Sequence, residues 1–247
     1  LIKGFLINKF RGDTTLFAEG MTIIERATGW QGVGILPWFP QARFLPAEDI
    51  LDIRGKSGDA RDGAPVRIAV PVLRRIANFD DLDPLAGETD VDVTLVEAGD
   101  VIPADADLIL LPGSKSTISD LTFLRDQGWD IDIAAHLRRG GMVMGLCGGY
   151  QMLGTKLDDP DGVEGPAGDT PGLGHLGVET VLAGDKRLTQ VTAHANAFDV
   201  PVRGYEIHMG RTGGPDCDRP FLTLDGRPEG AVSADGTVIG TYLHGIF

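Results

Sequence analysis

The tract Gly145-Leu146-Cys147-Gly148-Gly149-Tyr150-Gln151 constrains this chain more than any other. An apolar run, Gly141–Leu146, leads into it, and Gly148–Leu153 after it reads as the start of a helix. Gly two residues before and two after a Cys is what a sharp strand-to-helix turn needs, because side chains there would collide with the turn. The tract follows a strand and precedes a helix, the context of a nucleophile elbow in an α/β domain. The turn lifts the Cys147 thiol above the sheet edge, at a helix N-terminus, where the attacking thiolate is favoured. The Gly148 N–H then points where the oxygen of an attacked carbonyl would sit. The plain alternative is a buried structural Cys in a Gly-rich turn.

The neighbouring strands are legible. Val66–Val70, Val91–Val96 and Leu108–Leu111 are apolar runs, with helices predicted near 116–127 and 130–139. Their alternation predicts a mostly parallel sheet in a domain running from 66 to 247. The stretch 176–243 is strand-rich, with runs at Val178–Leu182, Leu188–Ala193, Val202–Ile207 and Val238–Leu243. Upstream, Ile2–Ile7 reads as a strand. Asp13 supplies an N-cap for a helix carrying Leu16, Phe17, Ile23, Ile24 and Ala27, Gly29 ends it, and Val33–Leu36 runs to Pro37. One strand–helix–strand crossover cannot cover both faces of its sheet. Residues 1–58 are therefore expected to be the tail of a larger α/β domain, and 59–65, within a polar Gly-rich stretch, the linker. An opening without Met, straight into an apolar run, fits a piece of a longer protein.

Charge and composition close off other classes. With 22 Lys+Arg against 36 Asp+Glu the net charge is −14, the wrong sign for phosphate-driven binding of nucleic acid. No apolar run reaches the ~18 residues of a membrane span, and no signal peptide is legible. Two Cys, 147 and 217, are too few for a disulfide scaffold, so the expected compartment is the cytoplasm.

A Cys nucleophile needs a base. Of five His, His244 in Gly240-Thr241-Tyr242-Leu243-His244-Gly245 closes an apolar run, where a parallel-sheet active site is built. His136 is expected to face solvent. His175 and His194 lack metal-site spacing, and no metal is predicted. Leu111-Pro112-Gly113-Ser114-Lys115-Ser116-Thr117 is superficially like a phosphate loop, but its Gly spacing fails. It can instead lend a second N–H near the thiol, or simply cap a helix through Ser114 or Ser116. Gly172-Leu173-Gly174-His175-Leu176-Gly177 matches a dinucleotide fingerprint by letter but precedes a strand rather than a helix. Arg11-Gly12-Asp13 is read as a turn with its cap. In Gly204-Tyr205-Glu206-Ile207-His208-Met209-Gly210, strand alternation alone would expose Glu206 and His208 and bury Tyr205 and Ile207.

Together these segments resemble the cobyric acid synthase family, the cobalamin-pathway branch of the triad-type glutamine amidotransferases. The matching pieces are Asn8–Asp13, Leu111–Thr117, Gly145–Gly154, Gly204–Gly210 and Tyr242–Gly245, in the family's order across almost the whole chain. The resemblance implies a flavodoxin-like class I amidotransferase domain after the truncated tail of a P-loop domain similar to dethiobiotin synthetase. It implies Cys147 as nucleophile on the glutamine amide and His244 as its base. Gly148 with Gly113 or Ser114 would form the oxyanion hole, and Gln151, Tyr205 and Glu206 would line the glutamine pocket. ATP and Mg would serve only a synthetase half whose phosphate loop lies upstream of Leu1; glutamine hydrolysis itself needs no cofactor. The corrinoid acceptor would bind that half, with amidation of the b, d, e and g carboxylates of adenosylcobyrinic acid a,c-diamide. One departure stands out: better-known triad enzymes carry Glu two positions after the His, and here that position is Ile246. Either the acid comes from elsewhere or the site works as a dyad. Other readings are a glutaminase for a different amide ligase, of the cell-wall lipid type, and a non-catalytic ligand-binding domain.

Overall fold

The computed structural model describes residues 2–39, 66–184 and 187–247. The linker expected at 59–65 and the end of the expected 1–58 segment lie outside the described residues. The chain divides into two compact units, Leu1–Leu45 and Pro46–Phe247.

The first unit is the predicted crossover. Strands Gly4–Phe10 and Gln31–Pro37 pair in parallel around the helix Ala18–Thr28. The Asp13 carboxylate accepts the Thr15 N–H at 2.9 Å and starts the turn that feeds the helix. Gly29, at φ 68°, stops it, its N–H closing on the Glu25 carbonyl.

The second unit is built in three layers. Its central sheet runs Ala231–Val232, Val238–Thr241, Met142–Leu146, Leu108–Leu111, Val66–Pro71, Val91–Val96, parallel except for the first pair. Side chains alternate across it. Ala69, Ile109, Leu111 and Val143 face a core formed with the helices Thr117–Asp126, Trp129–Arg138 and Gly148–Leu153. Ile68, Val70, Leu110, Met144 and Leu146 face the other way, onto Val191, Ala193, Leu222, Leu224 and Leu243. Those belong to a five-stranded antiparallel sheet in the order Arg227–Glu229, Leu222–Leu224, Arg187–Ala195, Val200–His208, Leu243–His244. No helix among the described residues is long and apolar enough to cross a membrane.

Three expectations need correction. The run Val238–Leu243 is not one strand: Val238–Thr241 ends in the central sheet, and Leu243–His244 begins in the outer one. Glu229 causes the break, accepting the Tyr242 N–H at 2.7 Å and the Thr241 hydroxyl at 2.6 Å, while that hydroxyl accepts the Leu243 N–H at 3.0 Å. Side chains thus satisfy the backbone donors that a continuous ladder would have used. His136 is buried rather than solvent-facing. Its ring lies where a Cβ on Gly141 would be, 2.2 Å away, and its Nε2 pairs with the Met142 carbonyl at 2.9 Å, closing the turn into the nucleophile strand. Glu206 is buried as well, ion-paired to Arg227, where alternation alone would have exposed it.

Candidate active site

The elbow has the predicted form. Cys147 follows the strand Met142–Leu146 and precedes the helix Gly148–Leu153, at φ 51° and ψ −107°. For a residue with a side chain this is a sparsely populated conformation, costing about 1–3 kcal/mol, and it persists because the surroundings dictate it. The Cys147 N–H donates to the Thr241 carbonyl at 2.8 Å, and its own carbonyl accepts Gln151 N–H at 3.1 Å. A Cβ on Gly145 would lie 2.6 Å from the Gly149 backbone, and one on Gly149 would lie 2.2 Å from the Leu111 carbonyl oxygen. Both glycines are present because backbone occupies the space. The thiol contacts the Ile207 carbonyl at 3.4 Å.

Beside the elbow, Gly113–Ser114 pairs antiparallel with Ile76–Ala77. Lys115 N–H donates to the Arg75 carbonyl at 2.8 Å, so that pair is a bonded rung. Alternation along an antiparallel ladder then makes Ala77–Gly113 the next bonded rung and turns the Ser114 N–H outward. That N–H adjoins the elbow: a Cβ on Gly148 would stand 2.9 Å from the Ser114 nitrogen. Asp120 fixes the loop from below, accepting the Ser114 hydroxyl at 2.6 Å and the Arg75 N–H at 3.2 Å. Burial pushes its carboxyl up, opposed by those hydrogen bonds. The helix that follows is capped neither by Ser114 nor by Ser116: Glu164, from a distant loop, accepts the Ile118 N–H at 2.9 Å.

His244 is buried, at 1% exposure. Its Nδ1 lies 2.6 Å from Asp81 Oδ2, and Asp81 Oδ1 accepts the Gly245 N–H at 2.7 Å. Tyr205, its partner across the strands, stacks on the imidazole with centroids 5.4 Å apart and 21° between planes. Burial pulls the imidazole down, but the hydrogen bond to Asp81 and the nearby Cys147 sulfur outweigh it and hold the ring at about 9. Its Nε2 has no hydrogen-bond partner among the described residues.

Cys147 and His244 line one cleft of about 160 Å³ with Ser114, Lys115, Glu164 and His208. Gln151 also lines it, but its amide is spent on the protein: Oε1 accepts from Thr117 at 3.0 Å, and Nε2 donates to the Met209 carbonyl at 2.9 Å and the Tyr242 hydroxyl at 3.1 Å. Tyr205 and Glu206 are not among the cleft's lining residues. The same strand sends Ile207, His208 and the following Met209 there instead. The His208 ring stacks on Tyr242 at 3.8 Å, and burial pulls it down. Sequence reasoning missed Asp81, which comes from the turn Phe79–Leu82, 163 positions from His244, with no motif around it. It missed Glu164 for the same reason. Among the described residues no group of three or more His, Cys, Asp or Glu could hold a metal ion.

Known proteins share this architecture. The structure of PurLQS from Thermotoga maritima superposes with a TM-score of 0.55 at 21% identity, covering 73% of this chain and 87% of that one. A glutamine amidotransferase from the same organism gives 0.51 at 15% identity, covering 73% and 76%. Both show the class I glutamine amidotransferase fold. In sequence, cobyric acid synthases of Rhodobacter capsulatus and Bradyrhizobium diazoefficiens are 62% and 60% identical over 247 residues, all of this chain. The chain spans about half the length of the curated relatives it matches, 50% in both of these. Residues 67–247, which hold the elbow, its histidine and every residue of the cleft, match the family described as the CobB/CobQ-like glutamine amidotransferase domain. The chain belongs to that family.

Proposed function

We propose that this chain is the glutamine-hydrolysing part of a cobyric acid synthase. One observation carries the reading: a Cys on a strained elbow and a buried, carboxylate-bonded His line the same cleft. Relatives of that name align with the chain over its whole length.

In this reading the Cys147 sulfur, its proton already resting on the His244 imidazole held at about 9, attacks the side-chain carbonyl carbon of glutamine. The N–H groups of Gly148 and Ser114 receive the oxyanion, the ladder having spent that of Gly113. His244 returns the proton to the departing nitrogen, ammonia leaves, and a glutamyl thioester remains on Cys147. Neutral His244 then takes a proton from water, whose oxygen displaces the sulfur; glutamate leaves, and the sulfur departs as thiolate beside protonated His244, the pair that starts the next turnover. Lys115 and Glu164 offer one charge of each sign to the zwitterionic end of glutamine. Gln151 serves by holding Thr117, Met209 and Tyr242 in place rather than by touching the substrate.

The ammonia would amidate carboxylates of the corrin ring, the b, d, e and g positions, with ATP and Mg at a site outside this chain. The loop 111–117 does not suit a triphosphate. Its N–H groups at Lys115 and Ser116, and that of Ile118 beyond it, are already bonded, and the carboxylates of Asp120 and Glu164 stand beside it. Both cysteines are free, which suits a reducing cytoplasm.

The test is mass spectrometry after incubation with 6-diazo-5-oxo-norleucine, alongside an assay for glutamate release. The expected result is a single label on Cys147, blocked by excess glutamine, with both label and glutamate lost in Cys147→Ser. A label on Cys217, or one that glutamine does not block, sinks the reading. Glutamine binding without hydrolysis would favour the ligand-binding domain instead.

A further inference from the structure

The position that carries the triad acid in the better-known relatives holds Ile246, yet the buried imidazole is not left without a carboxylate. We infer that Asp81 is the positioning acid of this site, delivered by the turn Phe79–Leu82, so that the relay runs Asp81–His244–Cys147. The inference rests on the glutamine-hydrolysing reading for its substrate but not for its geometry.

Both oxygens of Asp81 are spent on the strand that carries the base. Oδ2 meets His244 Nδ1 at 2.6 Å, and Oδ1 takes the next backbone N–H, Gly245, at 2.7 Å. Two bonds from one rigid carboxylate fix the ring's rotation as well as its height. Asp81 is 2% exposed and His244 1%. A buried carboxylate that lost this partner would be left uncompensated, so the two groups hold each other's charge. With Nδ1–H donated to Asp81, the proton that His244 gains and gives up is the one on Nε2, which has no hydrogen-bond partner among the described residues.

The turn is shaped for this delivery. It begins at Asn78, in the left-handed region at φ 55° and ψ 57°. The neighbouring Asp80 accepts the Tyr205 hydroxyl at 3.3 Å, and the Tyr205 ring covers the imidazole face. The ionisable groups near His244 among the described residues are Asp80 and Asp81 from this turn, Tyr205 and His208 from the outer sheet, and Cys147 from the elbow, with Lys115 and Glu164 lining the same cleft. Among the described residues, Asp81 is the carboxylate that hydrogen-bonds the ring. The acid thus precedes the nucleophile in the chain, which precedes the base, whereas the better-known relatives place it just after the base.

The test compares wild type with Asp81→Asn. An amide can give its oxygen to Gly245 N–H only by turning its NH₂ toward Nδ1, which forces the proton onto Nε2 and blocks proton uptake from the thiol. The expected loss in kcat for glutamine is about 10³–10⁴-fold with KM within a few-fold, as for the corresponding change in serine proteases. Asp81→Glu should recover at least about tenfold over the Asn variant. The pH profile of Cys147 alkylation by iodoacetamide, read by mass spectrometry without glutamine, should rise about one unit or more higher in Asp81→Asn. An unchanged profile overturns the inference. Should the variant fail to fold, ¹⁵N-histidine NMR of the wild-type protein decides: Nδ1 should stay protonated while Nε2 titrates, and the opposite tautomer overturns the assignment. Wild type that shows this tautomer and alkylation profile but does not hydrolyse glutamine would overturn the proposed function and leave Asp81 standing.

Discussion

Gly149 and Gln151 sit two residues apart on the nucleophile helix and were picked out by the same motif, but they fail differently when changed. An added Cβ at Gly149 would meet the Leu111 carbonyl oxygen at 2.2 Å, backbone that has no room to retreat within a central strand. Gly149→Ala should therefore cost about 3 kcal/mol or more and show as a large drop in melting temperature or insoluble protein. At Gln151 the volume is not at issue. Gln151→Glu keeps an acceptor for Thr117 but aims a second oxygen at the Met209 carbonyl, 2.9 Å away. The expected loss is about 1–3 kcal/mol in chemical denaturation, with kcat falling more than KM rises. Local sequence made Cys147, Gly145 and Gly149 legible because a tight turn leaves a spacing. It could not make Asp81 or Glu164 legible, since a carboxylate that reaches its partner across the fold leaves no local trace. Tyr205 shows a subtler limit. The right strand was identified, but which of its residues enter the cleft depends on where the sheet meets His244.

At the scale of elements, the break at Tyr242 is the feature a pattern of apolar residues cannot reveal, because Val238–Leu243 is apolar on both sides of it. What divides the run is Glu229, a buried carboxylate from another strand, pushed up to about 7 by burial against the pull of its hydrogen bonds. His244, a few residues on, is held at about 9. Both folded values lie above their ordinary ones of 4.5 and 6.5. Each contribution to stability is therefore complete below the ordinary value and is lost as pH rises through the folded one. Two consecutive windows result, about 4.5 to 7 for Glu229 and about 6.5 to 9 for His244. The melting temperature should fall across both. In Glu229→Gln the fall across the first window should vanish, and in His244→Gln the fall across the second. A flat profile in wild type would contradict both assignments.

For the whole molecule, apolar runs alternating with helices were enough to predict a mostly parallel sheet, and the central sheet is parallel except for its first pair. Helices cover one face and a second sheet the other, a distinction that apolar periodicity does not encode, since either layer buries the same side chains. Leu110 lies fully buried between the two sheets. Leu110→Ala should cost about 2–5 kcal/mol by denaturant titration. Every residue of the cleft belongs to the second unit, so a chain lacking residues 1–39 should still take a glutamine-blockable label on Cys147. Finally, the nucleophile and its base are fixed to different layers yet joined by a very short path. From the Cys147 N–H the route crosses one hydrogen bond to Thr241, then runs through Tyr242 and Leu243 to His244. That path works as a ruler of fixed length. A single codon inserted at Tyr242–Leu243 would turn the imidazole to the opposite face of its strand, silencing the chemistry while leaving the fold around it closed. Length along this tract should therefore be held more strictly than the identity of most of its residues.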